Sequence, residues 1–240
     1  MEENIKKKSH FILERFKEPE LMICPEQVKA YAEADFSSSD SNLIKSIDHY
    51  ISEIEKNIDN KSLIVDIGCG SGNITELLAR RWPSSKIIGI DGSEEMLSSA
   101  KAKAQNVTSL KNIKYIKEEL ASFSDGKNFI EGSADLIVSN SLLHHIHDPS
   151  QFWLALVSIG SKGAVIFQRD LRRPNSKEHA VTLLKKHLPS APSILKRDYL
   201  ASLHAAFTID EVKSQLEKAG LCQLKVFEVD DRYLDVIGVL

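Results

Sequence analysis

The chain has 240 residues, 42% of them hydrophobic and 27% charged, and 31 Lys plus Arg against 34 Asp plus Glu give a net charge of -3. That balance excludes wholesale disorder, a collagen-like fibre and a disulfide scaffold, and the length suits one α/β unit. It also lacks the basic excess of chains that grip a nucleic-acid backbone, so no nucleic-acid partner is expected. Cys24, Cys69 and Cys222 are odd in number and far apart, which fits neither a disulfide framework nor a zinc site, and no metal is expected. The start is charged and lacks a signal-peptide core, and no run approaches the ~20 apolar residues of a membrane span. The expectation is a cytoplasmic protein, monomer or homodimer, with no membrane contact.

Residues 3–17 carry Ile5, Phe11, Ile12 and Phe16 near helical spacing and predict a helix. Pro19 and Pro25 interrupt the pattern, and a second helix is expected over 26–36 with Tyr31 on it. The run 37–41 reads as a loop or a helix start. Leu43, Ile44, Ile47, Ile51, Ile54 and Ile58 recur at threes and fours and predict an amphipathic helix over 43–58. We expect residues 1–59 to form an N-terminal helical cap, its part from 19 to 36 a lid, and 60–240 the core.

From residue 63 the texture changes. Short β-branched runs at 63–65, 86–90, 113–116, 134–139 and 164–167 alternate with helical stretches at 73–81, 94–105 and 149–158. That rhythm predicts a mostly parallel sheet with helices on both faces. Two helices, 175–188 and 193–206, form an insertion over 174–206, and Thr208 starts a helix over 209–219. Two closing strands, 222–229 and 233–239, are joined by Asp230-Asp231-Arg232 as a hairpin, so one of them runs antiparallel.

The densest information lies in Val65-Asp66-Ile67-Gly68-Cys69-Gly70-Ser71-Gly72-Asn73. Glycines between a strand and a helix allow positive φ and let a ligand approach the backbone at a helix N-terminus. Asp91 ends the next strand, where a carboxylate can accept two hydrogen bonds from ribose hydroxyls. The spacing is G-x-G-x-G, with Asn73 where a dinucleotide fingerprint has its third glycine. Asp66 adds an acid that repels a pyrophosphate and attracts an ammonium. Cys69 reads as a small buried filler.

These stretches carry a family resemblance. VDIGCGSG, GIDGSEEML and ADLIVSNSLLHHIHDP, in that order and at these distances, resemble the first, second and fourth motifs of class I S-adenosylmethionine-dependent methyltransferases. With the helix ending AGL and the closing hairpin, the resemblance covers roughly 60–170 and 207–240. KEPELMICPEQVKAYAEADFS resembles the N-terminal cap of a bacterial subgroup of these enzymes. The resemblance implies a Rossmann-like, mostly parallel seven-stranded sheet and S-adenosylmethionine as cofactor. It implies that Gly68, Gly70 and Gly72 wrap the methionine part, Asp66 reaches its amino group, and Asp91, Gly92 and Ser93 meet the ribose. It puts Glu119, rather than Glu118, with Leu120 at the adenine, and Asn140, Ser141 and Leu142 near the sulfur. Tyr31 would close over the cofactor.

His144, His145 and His147 follow the fourth motif. Sequential spacing rarely aims three rings at one ion, so the competing readings are packed and solvated rings, or one histidine, His145, facing the substrate as base or orienting donor. Arg169, Arg172 and Arg173 crowd the end of the fifth strand. They read either as a solvated loop or as a fork for a carboxylate or phosphate, with Arg169 and Arg172 as substrate residues. The leading expectation is methyl transfer to a small molecule, an anionic one if the arginines face the site. Methylation of protein or nucleic acid, and a cofactor-binding protein with other chemistry, stay as alternatives.

Overall fold

The computed structural model describes residues 13–105, 107, 110–125, 130 and 132–240. In chain order the elements are α1 (Pro25–Glu33), α2 (Ser37–Glu53), β1 (Leu63–Ile67), α3 (Asn73–Arg81), β2 (Lys86–Asp91), α4 (Glu94–Ala104) and β3 (Ile113–Lys117). Then come β4 (Ala134–Asn140), α5 (Pro149–Ile159), β5 (Gly160–Leu171), α6 (Lys177–His187), α7 (Ser193–Ala205), α8 (Ile209–Lys218), β6 (Lys225–Glu228) and β7 (Tyr233–Val239).

The strands form one seven-stranded sheet in the order β3-β2-β1-β4-β5-β7-β6. The pairs from β3 through β5 are parallel, and β7 is antiparallel to both β5 and β6. The alternation of side chains along buried strands divides the core in two. Val65, Ile67, Ile137 and Ile166 face a layer of α5 and α8, with Phe152, Trp153, Leu156, Val212 and Leu216. Ile64, Leu136, Val138, Val165 and Phe167 face the other layer, with Leu43, Ile47 and Ile51 of α2 and Ile74 and Leu78 of α3. Each such side chain contributes about 2 kcal/mol on burial. The apolar stripe of α2 therefore docks that helix directly on the sheet.

Three local readings change. The helix expected over 3–17 lies outside the described residues as far as 12, and 13–17 are not helical. There the chain bonds to α7 instead of to itself. Phe16 N–H donates to the His204 carbonyl at 3.1 Å and Arg15 Nε to the Ala205 carbonyl at 2.6 Å. The helix expected over 43–58 starts at Ser37 and ends at Glu53. Pro25, read as a breaker, is the first residue of α1, where its missing N–H costs nothing. The helix expected over 26–36 also ends three residues early, at Glu33, and the remaining boundaries move by at most two residues, except that β6 is shorter than 222–229 and β5 far longer than 164–167.

Candidate functional site

Strand order reverses at β1, whose neighbours β2 and β4 lead off in opposite directions. Open α/β sheets bind ligands outside the carboxyl ends of the strands at that point. A cleft of about 230 Å³ lies there. Asp66, Gly68, Gly70, Asp91, Gly92, Glu119, Leu120, Asn140, Ser141, Leu142, Tyr31 and His145 all line it.

The turn after β1 is held by its partners across the sheet edge. Gly68 and Cys69 N–H groups both donate to the Ile90 carbonyl, at 2.8 and 2.9 Å. Gly68 has φ +71, and a Cβ there would meet Leu142 at 2.7 Å. Asp91 is held by two backbone donors: Gly70 N–H to Oδ2 and Ser93 N–H to Oδ1, each at 2.8 Å. Ser141 closes the β4 edge with φ 57, a left-handed non-glycine residue in the cleft.

Charge in the cleft is one-sided. Glu20, Asp40, Asp66, Asp91, Glu118 and Glu119 line it, and no Lys or Arg among the described residues does. Asp66 is buried and accepts from Thr75 Oγ1 at 2.6 Å. Burial pushes its pKa up to about 7, against the Thr75 hydrogen bond and with help from the Asp91 and Asp40 charges. Burial also raises Asp40, to about 6, and Asp91. Buried carboxylates so placed favour a cation. The Cys69 thiol is raised by burial and then by Asp66 and Asp91, the reverse of an activated nucleophile.

Two expected cofactor residues stand behind the cleft, not in it. Gly72 caps α3 with φ +84, and a Cβ there would lie 2.5 Å from the Tyr115 hydroxyl. Ser93 caps α4 by accepting from Met96 N–H, and its hydroxyl donates to the Met22 carbonyl at 2.8 Å. That bond draws the N-terminal segment over the site, where Glu20, Leu21 and Met22 line the cleft with Phe36, whose ring lies 4.9 Å from that of Tyr31.

The arginines expected at the substrate are paired away from the cleft. Arg169 is buried and grips Asp235 through Nε at 2.7 Å and a terminal nitrogen at 2.6 Å. Arg172 pairs with Glu228 at 3.3 Å and donates to the Asp230 carbonyl. Arg173 binds Glu211 at 2.6 Å and the Ala206 carbonyl. None of the three lines the cleft.

His145 does line it. Its Nδ1 lies 3.2 Å from the Pro19 carbonyl, so that nitrogen carries the proton and Nε2 keeps a lone pair. Burial, then the neighbouring His144 charge, lowers its pKa to about 3. His144 is buried, with Nδ1 2.5 Å from Asp170 and Nε2 3.3 Å from Glu18. Burial opposes its charge, but the Asp170 carboxylate and then Glu18 outweigh it and raise its pKa. His147 sits at the surface with Glu20.

Sequence reasoning missed Asp40 and Glu18, whereas Glu20, Leu21 and Met22 fall inside the lid expected over 19–36. Asp40 sits in the first turn of α2 like any helix-start acid, and nothing local marks it as buried. Glu18 and its neighbours meet the site only through contacts more than a hundred residues away in sequence.

Fold and cleft together define an α/β domain with an acid-lined cleft at its switch point. Residues 64–158 match the model of a methyltransferase domain. Trans-aconitate 2-methyltransferase of Variovorax paradoxus is 31% identical over 144 residues, 58% of this chain and 51% of that protein. The enzyme of that name from Shigella flexneri is 25% identical over 174 residues, 72% of this chain and 61% of that protein. The chain thus spans 51% and 61% of the lengths of these two curated relatives. A SAM-dependent methyltransferase from Aquifex aeolicus superposes with TM-score 0.64 at 19% identity, covering 91% of this chain and 99% of that one. The plantazolicin methyltransferase BamL, solved with a desmethylPZN analog and SAH, gives 0.68 at 18% identity, covering 89% of each. Residues 64–158 thus resemble a methyltransferase domain, and the fold is that of SAM-dependent methyltransferases of known structure.

Proposed function

We propose that the protein transfers the methyl group of S-adenosylmethionine to a small-molecule acceptor. The observation that carries this reading is the anionic cleft at the switch point. Asp66, Asp40 and Asp91 there have carboxyls raised by burial and no lysine or arginine beside them in the lining. A ligand bearing an ammonium and a sulfonium matches that charge, and a pyrophosphate does not. The Gly68–Gly70 turn leaves room for a ligand against the backbone, since a Cβ on Gly70 would meet nothing within 4 Å.

On this reading Asp91, already fixed by Gly70 and Ser93, takes the ribose hydroxyls, Glu119 and Leu120 border the adenine, and Asp66 and Gly70 face the methionine end. Gly68 shapes the turn, and Gly72 and Ser93 act from behind by holding it and the segment above it. The cofactor supplies a methyl group on a sulfonium, a carbon already activated for in-line displacement. The chain's own work is to align the acceptor and exclude water. Leu21, Met22, Tyr31 and Phe36 form the covering wall. Asn140, Ser141 and Leu142 border the position of the acceptor, and His145 Nε2 faces it to take a proton or orient the nucleophile.

A carboxylate acceptor is a second reading, favoured by the names of the relatives. A carboxylate needs no base, which leaves His145 an orienting role. Against it stands the lining, where Arg169 and Arg172 do not reach. The test is calorimetry with S-adenosylmethionine, followed by transfer of labelled methyl to a panel of neutral, cationic and carboxylate acceptors. Binding with a dissociation constant in the micromolar range and labelling of one acceptor class are expected. Absence of binding by a folded sample rejects the proposal.

A further inference from the structure

Behind the cleft wall, Glu18, His144 and His145 bring three ligand atoms within 4.8 Å of one another. Glu18 Oε1 is fully buried and makes no hydrogen bond. Two imidazole nitrogens nevertheless stand beside it, His144 Nε2 at 3.3 Å and His145 Nδ1 at 3.5 Å. Those two separations match neighbouring ligands on one tetrahedral ion, and the third pair, His144 Nε2 and His145 Nδ1, lies within 4.8 Å. With metal–nitrogen and metal–oxygen distances of about 2.0–2.1 Å, neighbouring ligands lie roughly 3.3 Å apart.

The surroundings add a second, independent feature. The other nitrogen of His144 bonds Asp170, a buried carboxylate that also accepts from the His144 backbone N–H and from Gln168. A carboxylate on the far nitrogen of an imidazole is the support that metal-bound histidines commonly have, because it fixes the tautomer that aims the lone pair at the ion. Arg15, the nearby cation, is engaged by the carbonyls of Ala205, His144 and Ile146. Arg15 thus bonds backbone oxygens rather than Glu18 or Asp170.

We propose that Glu18, His144 and His145 form a site for one divalent transition-metal ion of zinc type. Glu18 would give one carboxylate oxygen, His144 its Nε2 and His145 its Nδ1, with Asp170 as support behind His144. Binding releases any proton held on His144 Nε2. It moves the His145 proton from Nδ1 to Nε2, so with the ion bound an N–H, and not a lone pair, faces the cleft and His145 orients the acceptor rather than taking its proton. The ion joins the N-terminal segment to the Leu143–His145 turn after β4. The site is a clasp for the cover over the cleft, and it stands whether or not the acceptor is anionic.

The experiment uses untagged full-length protein purified without chelator, its metal content measured by mass spectrometry, and zinc titrated against a chromophoric competitor. One equivalent per chain is expected, with slower amide exchange over 13–24 when zinc is added. Glu18→Gln, which keeps size and fold, should weaken zinc by more than about 100-fold, and Asp170→Asn by about 10- to 100-fold. His49→Asn, an exposed α2 histidine paired with Glu53 and away from the cluster, should leave zinc binding unchanged. Loss of zinc binding in neither Glu18→Gln nor His145→Asn, or no stoichiometric binding in wild type, overturns the proposal. The cluster would then be an imidazolium held between two carboxylates.

Discussion

The Gly70 N–H donates to the Asp91 carboxylate at 2.8 Å, so the turn after β1 and the end of β2 are locked to each other. Asp91 also receives Ser93 N–H at 2.8 Å. One side chain thereby holds both loops at this edge of the cleft. Asp91→Ala should weaken S-adenosylmethionine by roughly 1–3 kcal/mol, the scale of hydrogen bonds to a charged group. Calorimetry on the folded variant checks this, and an unchanged affinity removes Asp91 from the ribose.

Cofactor affinity should depend on pH. Burial holds protons on Asp40 and Asp66 up to about 6 and about 7. A cationic ligand favours their ionised forms, so affinity should rise between about pH 5.5 and 8, with proton release on binding. Titrations in two buffers of different ionisation enthalpy would read that release. A flat profile would mean that the ligand's cations do not sense these acids.

The same groups set a sign for stability. Each raised pKa favours the folded state below the unfolded value near 4, and that advantage is lost as pH rises to the folded value. Asp66→Asn removes the group that titrates. Its melting temperature relative to wild type should therefore improve steadily from pH 4 to 7. A constant difference across that range counts against a raised Asp66.

Gly72 is expected to be a packing position. Gly72→Ala meets both φ +84 and the Tyr115 hydroxyl at 2.5 Å, and should cost about 1–3 kcal/mol. The Tyr115 hydroxyl is buried without a hydrogen-bond partner, so Tyr115→Phe alone should be near neutral and should recover part of the loss. Strict additivity of the two changes in denaturant melts would show that strain in φ, and not the clash, dominates.

Arg169→Ala should leave Asp235 charged and buried, at a cost of about 3–5 kcal/mol. Arg172→Ala, at a half-buried pair, should cost under about 1 kcal/mol. Neither should alter the preference among acceptors. An anion-selective loss of turnover in Arg172→Ala would put that side chain back at the substrate.

Much of this protein is legible in its chain-local patterns. Strand runs such as Leu63-Ile64-Val65, the Gly68–Gly72 turn, Asp91 and the Thr208 capping box act over a few residues, so their spacing alone determines the α/β order and most of the cleft's rim. What needed the tertiary structure is the direction in which charged groups point. Arg169 sits past the run 164–167 and reads as loop, yet β5 continues to Leu171 and the antiparallel register sets Arg169 opposite Asp235. Pairing across the sheet, which no local pattern encodes, thus decided that it bonds Asp235 and does not line the cleft. In the same way Glu18 and His144 are joined only because Arg15 and Phe16 are bonded to α7 and carry the N-terminal segment across the sheet edge. The ends of the strands decide where a ligand sits, but long-range contacts decide which acids and imidazoles face one another there.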